Sequence, residues 1–462
     1  MTALLWAIFA VILGCLLVYR FSDLQSLQPR WAAGLLVLGA GIAVGIGLTS
    51  CLFFVFRLAL PGLPGFSMWI EIAGVVWLGY EVRRMHKAAA GSAATPSFPY
   101  NLALAGAVLL ALIMVTSIMS VAWDSNPEGN WDAWSIWNLR ARFLAAPGDL
   151  AQRAWSPLVA STHPEYPLLT SAFVARCWIY GHTVLSESQT AAPIATSYLF
   201  FLSLLALVTG GMAALRSRSL GLLAGLLMLG SPLVLMEVPS QYADVPLACY
   251  FMGALLFWLL DRPILAGAFA GFAAWTKDEG FLFLAVFLVG VAVFKRKQFP
   301  RLIAGAAPAA ALVVFFKAVL ARGTPSLISS SASGLVHRLL DAGRYWQVAG
   351  AFVGGFLGMM VDWYHPALPV IILAVALRFD RAYKRDALFA GGICLFMLLG
   401  YFGIYVITSN DLTWQLQTSL NRLLVQVWPS LLLAAFVGLR TPESMVKIVA
   451  QAPPKARRKA RA

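Results

Sequence analysis

The chain is a succession of apolar runs of bilayer-spanning length, and that restricts its backbone. In hydrocarbon every N–H and C=O group must find a partner within the protein, and a helix satisfies them all internally. A helix needs about 20 apolar residues to cross the hydrocarbon layer. On that measure the runs fall at 2–19, 32–60, 66–82, 100–122, 191–215, 220–236, 245–260, 264–277, 280–294, 302–320, 366–378, 387–407 and 421–440. They predict an all-α polytopic membrane protein with about 13 transmembrane helices. Several runs are short, which is tolerated where helices are broken or shielded by neighbours. Segment 348–361 is apolar and Gly-rich, but a full crossing there would put the RFDRAYKRD link outside. It is read as re-entrant or interfacial.

The composition agrees: 60% of the residues are hydrophobic and 12% are charged, against about 25% charged in soluble domains. No polar segment is long enough to bury a core of its own. One integral domain over 1–440 and a basic tail over 441–462 are therefore expected. The first run lacks a cationic start and a small-residue cleavage site, so it reads as a retained span.

A net charge of +14 raises nucleic-acid binding, and its distribution argues against it. The cations cluster in short links between apolar runs, at Arg83-Arg84-Met85-His86-Lys87, Arg216 and Arg218, Lys295-Arg296-Lys297, Arg378 to Arg385, and the tail KARRKARA. That is the pattern of cytoplasmic loops. Five scattered cysteines without Cys-x-x-Cys spacing indicate neither a disulfide framework nor a thiolate metal site.

With the basic links inside, segments 123–190, 237–244, 277–280, 321–347 and 408–420 share the outer face. The first holds six acidic residues (Asp124, Glu128, Asp132, Asp149, Glu165, Glu187) of only 20 in the protein. Carboxylates beside a bilayer are costly unless they have a partner or a task. Ser326 to Ser333 reads as a flexible linker, and Glu71 is the clearest charge inside a span.

Asn130-Trp131-Asp132-Ala133-Trp134-Ser135-Ile136-Trp137-Asn138-Leu139-Arg140 reads as the start of an amphipathic helix on the membrane surface, pinned by tryptophans at headgroup depth. Asp132 is then either a first-turn residue favoured by the helix dipole or a general base. Ser240-Gln241-Tyr242-Ala243-Asp244-Val245-Pro246-Leu247 places Asp244 where a helix begins, and capping explains it well. Two carboxylates on one face also suit a divalent cation, or a division of base and acceptor-positioning roles.

In Trp275-Thr276-Lys277-Asp278-Glu279-Gly280, Lys277 is either a snorkelling lysine or a point charge for a phosphate. Arg422, at the outer end of the last span, suits phosphate through its fork geometry, and Arg140 is a further candidate cation. His163 and His365 each precede a proline and read first as turn residues. His163, Glu165, Tyr166, Glu279, His365 and Asp124 complete the candidate set. No His pair has metal spacing, and serine-hydrolase, Walker A and dinucleotide motifs are absent.

Trp131-Asp132-Ala133-Trp134, His163-Pro164-Glu165-Tyr166-Pro167, Tyr242-Ala243-Asp244-Val245-Pro246-Leu247 and Thr418-Ser419-Leu420-Asn421-Arg422-Leu423-Leu424, in that order, resemble the GT-C superfamily of integral membrane glycosyltransferases. The branch is that of protein O-mannosyltransferases and bacterial aminoarabinose transferases, over roughly residues 100–440. The resemblance implies a GT-C-like bundle and inverting transfer of a sugar from a polyprenyl-phosphate donor to an acceptor hydroxyl. The reaction would take place on the outer face of a bacterial inner membrane, with an acid of the first outer loop as base. Asp132 matches that acid, Asp244 resembles a second acidic position, and Lys277 a phosphate-contacting lysine. The chain departs from the pattern in placing four runs before the acidic loop, which keeps Asp124 as a rival, and in lacking the frequent Asp-Glu pair, which leaves metal dependence open. The acceptor, whether lipid, glycan or protein, is also open. Rival functions are a transporter or flippase of cell-envelope precursors, an assembly subunit, and an O-antigen ligase or polymerase-like enzyme.

Overall fold

A computed structural model describes residues 2–88, 99–183, 187–294, 296–323, 332–361 and 367–451. The expected linker at Ser326 to Ser333 lies mostly outside the described residues, and His365 lies wholly outside them. Among the described residues the chain is helical, and its one β-type contact is an isolated bridge between Phe379 and Leu439.

All thirteen apolar runs fold as helices, though not all are long. Seven have the length and composition to cross a membrane: Thr2–Phe21, Arg30–Ala59, Leu102–Ser125, Ala191–Leu215, Phe299–Leu320, Arg381–Ile407 and Leu412–Val437. The run at 220–236 becomes two helices, Arg218–Leu229 and Pro232–Ser240, bent by 59°, which make an eighth crossing if taken as one span. The break falls at Gly230-Ser231-Pro232, with Pro232 opening the second helix. A proline has no N–H to continue the first helix and suits the first turn of the next. Asp244–Leu259, Pro263–Thr276 and Ala367–Leu377 are apolar but shorter. The protein is thus a multi-pass helical membrane protein. Segment 348–361 belongs to one continuous helix, Ala342–Val361.

Asp244–Leu259 is the axis of the bundle. Every side chain from Asp244 to Trp258 is buried, against Pro263–Thr276, Leu412–Val437 and Ala191–Leu215. Thr2–Phe21 crosses Arg30–Ala59 where Gly14 meets Gly41 and Gly45, and a Cβ on any of them would strike backbone or side-chain atoms of the facing helix. Such small-residue contacts replace the hydrophobic effect as the driving force inside lipid.

The helix expected from Asn130 forms, running from Trp131 to Ala145 with a π-turn at Ala133–Trp137, but it is not a simple surface helix, because its Asn138, Arg140, Ala141 and Leu144 are buried. Trp131 and Trp134 are exposed and pack edge to face at 4.5 Å, while Trp137 turns inward. The tryptophans thus divide between anchoring and core. The insert also sends Leu169–Tyr180 into the bundle, buried against Arg30–Ala59, Thr2–Phe21 and Ala191–Leu215. Arg176 on this helix forms a fully buried ion pair with Glu71 and donates to the Trp6 carbonyl at 3.1 Å. A buried charge of either sign is tolerated only with such a partner, so the pair fixes where the insert enters.

At the other end of the bundle Arg216 pairs with Asp380 at 2.7 Å and lies over the Tyr383 ring. That hydrogen bond is the main reason the Asp380 carboxyl is held below its usual range.

Candidate functional site

Four segments far apart in the chain meet at the end of the bundle opposite Arg216 and Asp380, and each is aimed by its local backbone. Pro232–Ser240 stops at Gln241, whose left-handed backbone (φ 58°) turns the chain. Three residues later Asp244 opens the axial helix. Lys277 is the single extended residue between Pro263–Thr276 and Asp278–Phe294. That turn is tight enough that a Cβ on Gly280 would strike the Ala273 carbonyl. Gly129, at φ 76°, lies against the Ser240 carbonyl, and Asn130 N–H donates to that carbonyl at 3.2 Å. This brings Asp132 alongside. Arg422 comes from the first half of Leu412–Val437.

The hub is the Asp244 carboxylate, which is completely buried. Its Oδ1 accepts from Lys277 Nζ at 3.2 Å and from Gln426 Nε2 at 2.5 Å. Its Oδ2 accepts from Arg422 Nε at 3.0 Å and from Arg422 Nη2 at 2.9 Å. The same Nη2 reaches Asp132 Oδ2 at 2.7 Å. Lys277 is shared with Glu279 at 2.9 Å. The guanidinium thus joins the two aspartates singled out in the sequence, and the lysine joins the deeper one to a third acid.

Both aspartates stand in the first turn of a helix, Asp132 just after Trp131 and Asp244 at the head of the axial helix, and neither caps it. Asp132 makes no cap hydrogen bond, and the Asp244 carboxylate takes all its described bonds from side chains. Lys277, 7% exposed, is held inward and does not snorkel. Asp124 is exposed at the end of Pro99–Ser125, away from the cluster. Arg140, expected at a phosphate, is buried and donates to the carbonyls of Ala154, Pro164 and Tyr166 at 2.7, 3.3 and 2.6 Å. It clamps the outer loop, because a guanidinium's donors suit converging carbonyls.

The clamp positions the aromatic wall. Tyr166 stacks on His163 at 4.6 Å and on Trp137 at 5.9 Å, with Lys277 Nζ 5.8 Å from its ring centre. His163 Nδ1 contacts Glu165 Oε1 at 3.0 Å. Arg422 lies over the Tyr242 ring at 4.3 Å. Burial, then the charge of Asp132, holds the Tyr242 phenol above its ordinary value. Burial, then the charges of Glu279 and Asp278, does the same more strongly for Tyr166. Both therefore stay protonated near neutral pH.

Three participants escaped the sequence reading. Lys317 pairs with Asp278 at 2.6 Å and donates to the Glu165 carbonyl at 3.1 Å. Gln426 braces Asp244. Glu237 interacts electrostatically with Asp244, Arg422, Lys277 and Asp132, and its buried Oε2 has no hydrogen-bond partner among the described residues. The available signal was Lys317 and Gln426 inside apolar runs and Glu237 one residue past the end of another, since a polar side chain at such places is costly without a partner or a function.

A divalent cation shared by Asp132 and Asp244 does not fit this arrangement, because the Arg422 guanidinium already occupies the space between them. Among the described residues no group of three or more His, Cys, Asp or Glu is placed to hold a metal ion.

The chain matches no family model, no curated protein and no solved structure.

Proposed function

We propose that the protein is an inverting glycosyltransferase that moves a sugar from a polyprenyl-phosphate donor to an acceptor hydroxyl. The reading includes a GT-C-like bundle of about 13 crossings and a reaction on the extracytoplasmic side of a bacterial inner membrane. The observation that carries it is the Asp132–Arg422–Asp244–Lys277 assembly, where a candidate base and two candidate phosphate-binding cations lie within one hydrogen-bonded unit. The basic links at 216–218, 296–297 and 378–385 lie at the opposite end, which supports an outward-facing site.

The chemistry follows from these positions. A glycosyl phosphate already carries its leaving group, so catalysis needs a base for the acceptor and positive charge for the departing phosphate. Asp132 commits Oδ2 to Arg422 and has Oδ1 to take the hydroxyl proton. The acceptor oxygen attacks the anomeric carbon from the face opposite the phosphate. The C–O bond to phosphate breaks, and the phosphate leaves with the electron pair toward Lys277 and Arg422. Asp244 keeps both cations in place, while Tyr166 and Tyr242 remain neutral hydrogen-bond donors. Phe281, Val314 and Val319, exposed on the helices that carry Asp278 and Lys317, offer an apolar approach for the isoprenoid chain.

The test is transfer from a polyprenyl-phosphate sugar by Asp132→Asn and Asp124→Asn. Turnover should fall by roughly two to four orders of magnitude in Asp132→Asn, the usual weight of a general base, with donor binding and folding retained. Asp124→Asn should be unaffected. Loss in Asp124→Asn alone would move the role to that residue, and activity in both would defeat the assignment.

A further inference from the structure

A groove of about 310 Å3 runs between the peripheral helix Pro99–Ser125 and the short helix Pro232–Ser240. Val115, Ile118, Met119 and Ala122 form its floor at helical spacing, so one face of the first helix is apolar until it ends at Asn126. Leu235, Met236 and Pro239 form the other wall. Exposed Ile118 and Met236 show that the groove opens sideways toward the bilayer. At its polar end Asn126 Nδ2 donates to Asn130 Oδ1 at 3.0 Å, and Asn130 Nδ2 donates to Ser240 Oγ at 2.8 Å.

The charge at this end decides what fits. No cation lines the groove. Its end is made of amides and a hydroxyl, with Asp132 two residues beyond Asn130 and Glu237 one turn before Ser240. Lys277 and Lys317 lie on the other side of the cluster, bound to acids on Asp278–Phe294. The groove itself offers a phosphate headgroup no cation, and Arg422, the cation beside Asp132, is already shared between Asp132 and Asp244, whereas a neutral hydroxyl would meet both donors and acceptors at Asn130 and Ser240.

We infer that the groove holds the hydrocarbon chain of a lipid-linked acceptor with an uncharged, hydroxyl-bearing headgroup, delivered past Asn130 and Ser240 to Asp132. This rests on the glycosyl-transfer reading and names its acceptor class. Asn130 and Ser240 meet the headgroup at the polar end of the groove, while the reacting hydroxyl faces Asp132. The donor enters on the lysine side, so the two lipids approach the cluster from different helices.

The experiment uses the full chain in phospholipid nanodiscs with a diazirine-bearing farnesol as probe. Label should concentrate on peptides spanning 115–122 and 232–240. Unlabelled farnesol should compete and farnesyl phosphate should not. Ala122→Phe and Met236→Trp, both of which fill the groove, should abolish specific labelling. Two groove variants guard against one that fails to fold, and farnesyl phosphate binding that still depends on Lys277 certifies an intact cluster. Equal labelling of other lipid-facing helices such as 384–407 would show ordinary bilayer contact and overturn the inference. Equal competition by farnesyl phosphate would overturn it as well, by making the groove a donor site. Failure of groove labelling with Lys277-dependent phosphate binding intact would remove only the acceptor assignment, whereas loss of phosphate binding from wild-type protein would remove the glycosyl-transfer reading.

Discussion

Asp244→Asn is the substitution that the geometry makes most informative. The change keeps the shape of the side chain and removes its charge. Asparagine offers one carbonyl oxygen and one NH2 group, yet both oxygens of Asp244 face only donors: Lys277 and Gln426 on one side, Arg422 twice on the other. Whichever way the amide is turned, its NH2 points at a donor. At a fully buried position this breaks an ion pair from one side and leaves cations under-compensated, which costs roughly 3–5 kcal/mol. That is about two to three and a half orders of magnitude in the folded-to-unfolded ratio. The assay is unfolding in mixed micelles over a titration of denaturing detergent, followed by tryptophan fluorescence, with Asp132→Asn alongside. Asp132 pairs with the same guanidinium but is 21% exposed, so solvent screening reduces its loss to about 1 kcal/mol or less. An Asp244→Asn protein as stable as wild type, or an Asp132→Asn protein equally destabilised, would refute the argument that buried Asp244 organises the cluster.

Replacing Lys277 or Arg422 by Ala should weaken polyprenyl-phosphate binding about tenfold or more in a nanodisc titration, the weight of one charge-assisted hydrogen bond. Arg422→Lys should weaken it too, because one ammonium cannot engage Asp132 and Asp244 as the fork does; unchanged binding in all three variants would exclude these cations from the donor site. Glu71→Gln should destabilise the bundle by about 3–5 kcal/mol by leaving Arg176 buried and unpaired, and Glu71→Leu with Arg176→Met should recover most of that loss; a double variant worse than the single one would contradict this. An impermeant maleimide should label Asn130→Cys from the outer side and Lys384→Cys only after permeabilisation, since the five native cysteines are buried or half-buried. The reverse pattern would invert the orientation.

Within the site, the sequence announced residues whose types are unusual for their place. Asp244, Lys277 and Arg422 each stand at the border of an apolar run, where a charge is conspicuous, and Asp132 stands among tryptophans in the acidic insert. Arg140 was conspicuous in the same way, yet it holds backbone carbonyls, because a sequence shows that a guanidinium is present but not which acceptors converge on it. Lys317 and Gln426 were passed over because each sits within a run whose average remains apolar, and Glu237 because it stands directly at the end of one. Their role depends on the helix face they occupy relative to helices up to about 180 residues away in the chain.

The sequence by itself determined the all-helical, multi-pass character of the protein and where the helices of its apolar runs lie. These follow from hydrophobicity and from the backbone's need for hydrogen bonds in lipid, both local properties. Only the tertiary structure decided that the run at 220–236 breaks at Pro232, that Leu169–Tyr180 sinks into the bundle behind the Glu71–Arg176 pair, and that Asp132 and Asp244 share one arginine. Those outcomes depend on which side chains find partners once the helices pack. In a low-dielectric interior an unpaired charge costs more than the bend, the burial or the close approach that pairs it.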